Sequence, residues 1–161
     1  MKITDAFLEL NNFGNALNKE LHEMTFDWEK VKPWEGLFNK WFRKEVPGER
    51  AAYRSGVYLI GDPDENILYI GKATEKNLGA EIWGKFRAPT NSDSNDMPSF
   101  INSPLAKWAH EDGDREMIIK GNVLISAAII EPKEFSSLVE VYLQTWCLRK
   151  RSWPRLNNRI G

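Results

Sequence analysis

The sequence predicts an α/β protein of the α+β type: a small, mainly antiparallel sheet of three to four strands, flanked by helices and preceded by a helical extension. Three observations carry that expectation. Residues 55–73 set two apolar, β-branched and aromatic runs around a Gly/Asp/Pro/Asn cluster, which is a hairpin signal. Residues 116–130 hold a further apolar run, rich in isoleucine, that reads as the third strand and a fourth. Residues 4–24 space their apolar side chains three and four apart, as an amphipathic helix does, and residues 136–151 read as a further helix that is apolar almost all round.

The elements follow in order. Thr4 is the expected N-cap of a first helix carrying Phe7, Leu10, Phe13, Leu17 and Leu21 on its apolar stripe. A second aromatic-rich segment, residues 26–42, is interrupted at Pro33, which suits the first turn of a helix running to about Lys44. Both segments are expected to pack over the sheet. Residues 47–49 form a turn into the hairpin. Its loop is placed at 61–66, so Tyr58 faces Tyr69 or Ile70 across the strands. A short helix is expected over 76–86, a loop over 88–98 and a helix over 99–110. One domain of residues 51–161, with residues 1–50 as an extension packed on it, suits a chain of 161 residues.

Composition narrows the class. Seven tryptophans, eight phenylalanines and 42% hydrophobic residues point to a packed globular protein rather than a disordered or fibrous one. No apolar run approaches the ~20 residues of a membrane-spanning helix, and the first residues do not resemble a signal peptide. One cysteine, Cys147, leaves no internal disulfide and no multi-cysteine zinc site. A cytoplasmic, intracellular protein without a membrane partner is therefore expected, as a monomer or a weak homodimer joined through the aromatic N-terminal segment. The net charge of -1 is mildly adverse to nucleic-acid binding, but its distribution is uneven. Arg149, Lys150, Arg151, Arg155 and Arg159 crowd the last thirteen residues with no acid among them. They are candidates for a phosphate backbone, or for complementing a helix C-terminus.

Several residue types carry possible chemistry. Gly56-Val57-Tyr58 and Tyr69-Ile70-Gly71 each set a phenol beside a glycine, an arrangement able to present two hydroxyls and exposed backbone to a phosphate. Their structural alternative is a cross-strand aromatic pair with a strand-end glycine. A tyrosine acting as general base needs a nearby cation to lower a pKa of about 10. Lys72 adjoins the second motif. On the helix over 136–151, Glu140 and Gln144 form a narrow polar gap in an otherwise apolar surface. A carboxylate there needs a partner: Mg²⁺, which accepts one or two carboxylates and keeps its waters, a salt bridge, or solvent.

At these residues the chain resembles the GIY-YIG nuclease family. Gly56-Val57-Tyr58 is similar to its first motif and Tyr69-Ile70-Gly71-Lys72-Ala73 to its second, Glu140 to its helical glutamate, and Pro154-Arg155-Leu156-Asn157 to its C-terminal proline and asparagine. The resemblance covers residues 54–161. It implies a metal-dependent endonuclease hydrolysing DNA. Tyr58, preferred as the base, or Tyr69 would activate water, Glu140 would hold Mg²⁺ or Mn²⁺, and Asn157 would tie the tail to the site. Gly71 would let the phosphate approach the backbone. The family carries an arginine where this chain has Glu81, and a carboxylate repels a phosphodiester. Lys85 and Arg87, further along the same predicted helix, are the candidate replacements. Without a replacement, the alternative is a catalytically weakened or inactive module that binds nucleic acid or protein.

Overall fold

The computed structural model describes residues 1–18, 25–31, 43–91, 98–158 and 160. Its elements are α1 (Ile3–Asn18), β1 (Thr25–Val31), α2 (Glu49–Ala52), β2 (Gly56–Gly61), β3 (Ile67–Ala73), α3 (Leu78–Phe86), β4 (Thr90–Asn91), β5 (Pro98–Ser99), α4 (Pro104–Trp108), α5 (Asp112–Ile119), β6 (Leu124–Glu131) and α6 (Phe135–Arg149). A four-stranded sheet has the order β1-β6-β2-β3, with every neighbouring pair antiparallel. Strands β4 and β5 form a separate two-residue ladder.

Strand β2 is buried along its whole length, as befits a strand with helices on both faces. One face carries Tyr58, Ile60, Ala73, Ile125 and Ala127 against α3, α4 and α5. The other carries Val57, Leu59, Ile70, Ala128 and Ile130 against α1 and α6. Ile3, Ala6 and Leu10 of α1, at three- and four-residue spacing, are fully buried in that second layer. Gly56 is required where β2 starts: a Cβ there would lie 1.9 Å from the Ala128 carbonyl oxygen of β6.

Register departs from a simple hairpin. Gly61 pairs with Ile67 but Ile60 pairs with Tyr69, so Leu68 is a bulge residue. The bulge shifts all later pairs by one residue and sets Tyr58 opposite Gly71, not opposite Tyr69 or Ile70. It also brings Tyr58 and Tyr69 to the same face, because Tyr69 and Gly71 are two apart on one strand.

Several elements differ from the sequence expectation, among them the short helix α2 after the expected turn and the strands β4 and β5 at the expected loop. Helix α1 starts at Ile3, so Thr4 lies inside it and donates instead to Glu65 Oε2 in the hairpin loop (2.6 Å), while Asp5 Oδ2 accepts from the Lys2 N–H (3.1 Å). Residues 25–31, grouped with the helical extension, are the strand beside β6; the helix expected from Pro33 to Lys44 lies mostly outside the described residues. Met117, Ile118 and Ile119 belong to helix α5, which stops at Lys120 before Gly121 with φ +67°, and the strand begins only at Leu124. A short apolar run reads equally as helix or strand; here Ile118 is buried against the core from a helix. The helix expected over 99–110 is only Pro104–Trp108, because Ser103 is its N-cap, its side chain accepting from the Ala106 N–H, and Pro104 takes the first turn.

Candidate functional site

Strand β3 is an edge of the sheet, and the site is assembled around that edge. Its open hydrogen-bonding side is closed by the C-terminal segment. The Leu156 N–H donates to the Leu68 carbonyl at 2.9 Å. The Asn157 side chain accepts from the Ile70 N–H and donates to the Ile70 carbonyl, both at 2.8 Å. One amide thus supplies both groups a neighbouring strand would supply. Trp153 Nε1 donates to the Asn157 carbonyl at 2.7 Å and braces the turn. Asn157 therefore fastens the tail beside the site.

A cavity of about 240 Å³ lies at this edge, lined by Tyr69, Trp108, Glu140, Gln144, Leu156, Asn157 and Asn158. Tyr69 reaches it from one face of the sheet and Glu140 from α6 on the other. Tyr58 stands behind Tyr69, its ring centroid 5.9 Å away. Both rings lie over Gly71, whose missing Cβ would otherwise meet Tyr58 Cζ and Oη at 2.5 Å. The space above Gly71 is thus filled by aromatic rings, not open to a phosphate as the sequence reading supposed.

The electrostatics reassign two roles. Tyr58 is 1% exposed. Burial pushes its phenol well above the usual value, and the neighbouring Tyr69, Glu81 and Glu140 push the same way. A group so placed keeps its proton, which is opposed to work as a general base and suits a hydrogen-bond donor. Lys72 does not face the tyrosines; it lies opposite Val57, on the other face, with Nζ 2.7 Å from Glu140 Oε2. Its charge is committed to the carboxylate because alternation along β3 sends residues 69 and 72 to opposite faces.

Glu140 is 6% exposed, so the polar gap on α6 is interior and not a solvated stripe. Its Oε2 forms the ion pair with Lys72 yet has no hydrogen bond of good geometry, and its neighbour Gln144 is equally interior. A carboxylate suits a hard cation, and a cation bound here would share Glu140 with the Lys72 ammonium. Among the described residues there is no group of three or more His, Cys, Asp or Glu side chains, so a cation here would rest on this one carboxylate and water.

The proposed replacements for the arginine separate. Lys85 Nζ lies 5.3 Å from the Tyr69 ring centroid and 5.1 Å from that of Trp108, beside two residues that line the cavity but not itself in its lining. Arg87 is the residue after α3, with φ +67° and its guanidinium 6.0 Å from the Trp83 ring, and it does not line the cavity. Glu81 accepts from Asn77 Nδ2 at 3.3 Å. The basic tail also divides: Arg149 lines a different hollow with Glu9, Trp146 and Lys150. Arg151 is exposed after α6. Arg155 Nη2 is 2.8 Å from Asp114 Oδ1, and Arg159 lies outside the described residues. Sequence reasoning missed Trp108 as a site residue, and Asp114, whose pairing with Arg155 no local pattern signals.

No family model, curated protein or solved structure matches the chain.

Proposed function

We propose that the chain is a GIY-YIG-type nuclease domain that hydrolyses phosphodiester bonds in DNA. The observation that carries this reading is the convergence of Tyr69, Glu140 and Asn157, far apart in sequence, on one cavity with Tyr58 behind it. Phosphodiester hydrolysis needs an oriented water, positive charge at the non-bridging oxygens and help for the leaving oxygen. Tyr69 faces the cavity and takes the water-orienting role that sequence reasoning preferred for Tyr58. Tyr58 holds its proton and packs behind Tyr69, with the ring centroids 5.9 Å apart. Lys85, whose ammonium lies beside Tyr69 and Trp108, supplies positive charge next to the cavity in place of the family's arginine. Mg²⁺ or Mn²⁺ held by Glu140 would supply the Lewis acidity for the phosphoryl oxygens and the leaving group. Arg149 and Arg151 are the tail's candidates for backbone contact, since Arg155 is committed to Asp114.

One observation favours a second reading, a binding module without turnover: Glu81 adds negative charge around Tyr58, and Lys72 already occupies the Glu140 carboxylate. One assay separates them. Purified protein is incubated with supercoiled plasmid and branched DNA, with and without Mg²⁺ or Mn²⁺, beside Glu140→Ala and Glu81→Arg. The nuclease reading expects metal-dependent nicking, lost in Glu140→Ala with the fold intact and raised in Glu81→Arg. Binding without any cutting by wild type and Glu81→Arg would transfer the conclusion to the second reading.

A further inference from the structure

Resting on that nucleic-acid reading, we infer that Trp108 is a stacking platform for one unpaired base entering the cavity, with Lys85 on the phosphate beside it. Trp108 ends α4 and is 38% exposed. Lone exposed aromatics are ordinary on protein surfaces. This one is set apart by its place, forming with Tyr69 and Leu156 the apolar side of a cavity that also carries the polar groups of Glu140, Gln144, Asn157 and Asn158.

The helix that carries the indole is also anchored. Ser103 Oγ caps α4 and donates to the Lys85 carbonyl at 2.8 Å, tying α4 to α3. Arg115 Nη2 donates to the Ala109 carbonyl at 3.0 Å and fixes the residue after Trp108. An aromatic on an anchored helix gives up less entropy to a ligand than one on a free loop. Tyr69 is the second ring, its centroid 6.4 Å from that of Trp108, and the Lys85 ammonium lies near both. Two rings with an adjacent cation match a nucleotide, whose base is a flat π-system and whose phosphate is an anion. The exposed amide of Asn158 is placed to hydrogen-bond a base edge, whereas Asn157 is engaged with Ile70.

Size then selects the substrate class. The cavity, about 240 Å³, lies below the ~300–1,000 Å³ of pockets for drug-sized ligands, so it takes one nucleotide fragment and no duplex. The base must be unpaired, as in a single strand, a branch or a flipped nucleotide.

The test is a fluorescence-anisotropy titration of the full chain, without divalent cation, into a labelled single strand and a fully paired duplex of the same sequence. Trp108→Leu keeps apolar bulk without a π face. It is expected to weaken single-strand binding about five- to hundredfold, the scale of base–aromatic stacking. Trp108→Phe should stay within about threefold of wild type on the single strand, and both variants within about threefold on the duplex. Lys85→Gln should reduce the salt dependence of single-strand binding by about one unit of slope. An unchanged single-strand affinity in folded Trp108→Leu, an equal loss on both ligands, or an unchanged slope in Lys85→Gln overturns the inference and leaves the nuclease reading standing. Wild-type protein that binds neither ligand overturns both.

Discussion

Alanine at position 71 tests how the two tyrosines are seated, because local and tertiary arguments give it opposite signs. Where the backbone is compatible, Gly→Ala stabilises by about 0.4–1 kcal/mol through the unfolded chain. Gly71 qualifies locally: the described glycines with positive φ are Gly56 and Gly121. The tertiary structure reverses the sign. An added Cβ would stand 2.5 Å from Tyr58 Cζ and Oη and 2.8 Å from Tyr69 Cε1. Tyr58 has no solvent to move into, being 1% exposed between β2 and the α3 layer. Overpacking a closed site costs about 1–3 kcal/mol, so the expected net loss is about 1–2 kcal/mol. At roughly 2–4 °C per kcal/mol for a chain of this size, Tm should fall by about 2–8 °C. Thermal unfolding followed by far-ultraviolet circular dichroism measures it. In a double-mutant cycle, Tyr58→Leu clears the clashing atoms, so Gly71→Ala should cost less in that background. A Tm at or above wild type in Gly71→Ala would refute this account of the tyrosine pair.

Lys72→Met leaves the buried Glu140 carboxylate without its cation and should cost about 2–4 kcal/mol in urea unfolding, less than a fully buried pair because Lys72 is a third exposed. If Glu140 takes a divalent cation, millimolar Mg²⁺ should raise the Tm of Lys72→Met more than that of wild type; equal shifts would count against the cation site. Asn157→Ala removes both hydrogen bonds to Ile70 and should cost about 1–3 kcal/mol, with faster hydrogen exchange at the Ile70 amide; unaltered exchange would contradict the edge-closing role. Alkaline pH should destabilise the fold. Burial raises Tyr58 well above 10.0 and Cys147 from 9.0 to about 12, so folded protein keeps protons that unfolded chain has released. The stability these groups contribute is complete below pH 9 and declines as pH rises toward 12 and beyond, Tyr58 alone giving about 1.4 kcal/mol per pH unit above 10. Urea midpoints measured from pH 8 to 11 check the decline, and a flat profile would show that Tyr58 is not shielded as described.

Much of the fold was legible because its signals are local. The apolar runs of β2 and β3, the turn between them, the apolar periodicity of α1 and the long apolar run of α6 each sit within one short window. The errors fall where a window is ambiguous. Met117-Ile118-Ile119 has the composition of a strand, and only its packing against the core from α5 makes it helical. Thr4 has the chemistry of a cap, but the bond from the Lys2 N–H to Asp5 starts the helix earlier. For the site, Tyr69, Glu140, Lys85 and Asn157 were found as residues, whereas Trp108 and Asp114 were not, because each acts across a distance no spacing rule spans.

By itself the sequence determined which groups exist for chemistry and on which elements they ride: two phenols on a hairpin, a carboxylate inside an apolar helix, an amide in the tail. Only the tertiary structure decided what each group is. The bulge at Leu68 put both tyrosines on one face over Gly71. Burial made Tyr58 a proton holder. The alternation of β3 gave Lys72 to Glu140 and left Lys85 beside Tyr69. The reason is physical: residue identity sets the intrinsic pKa, size and donors of a side chain, but its working charge and reach depend on solvent exclusion and on neighbours brought in from elsewhere in the chain.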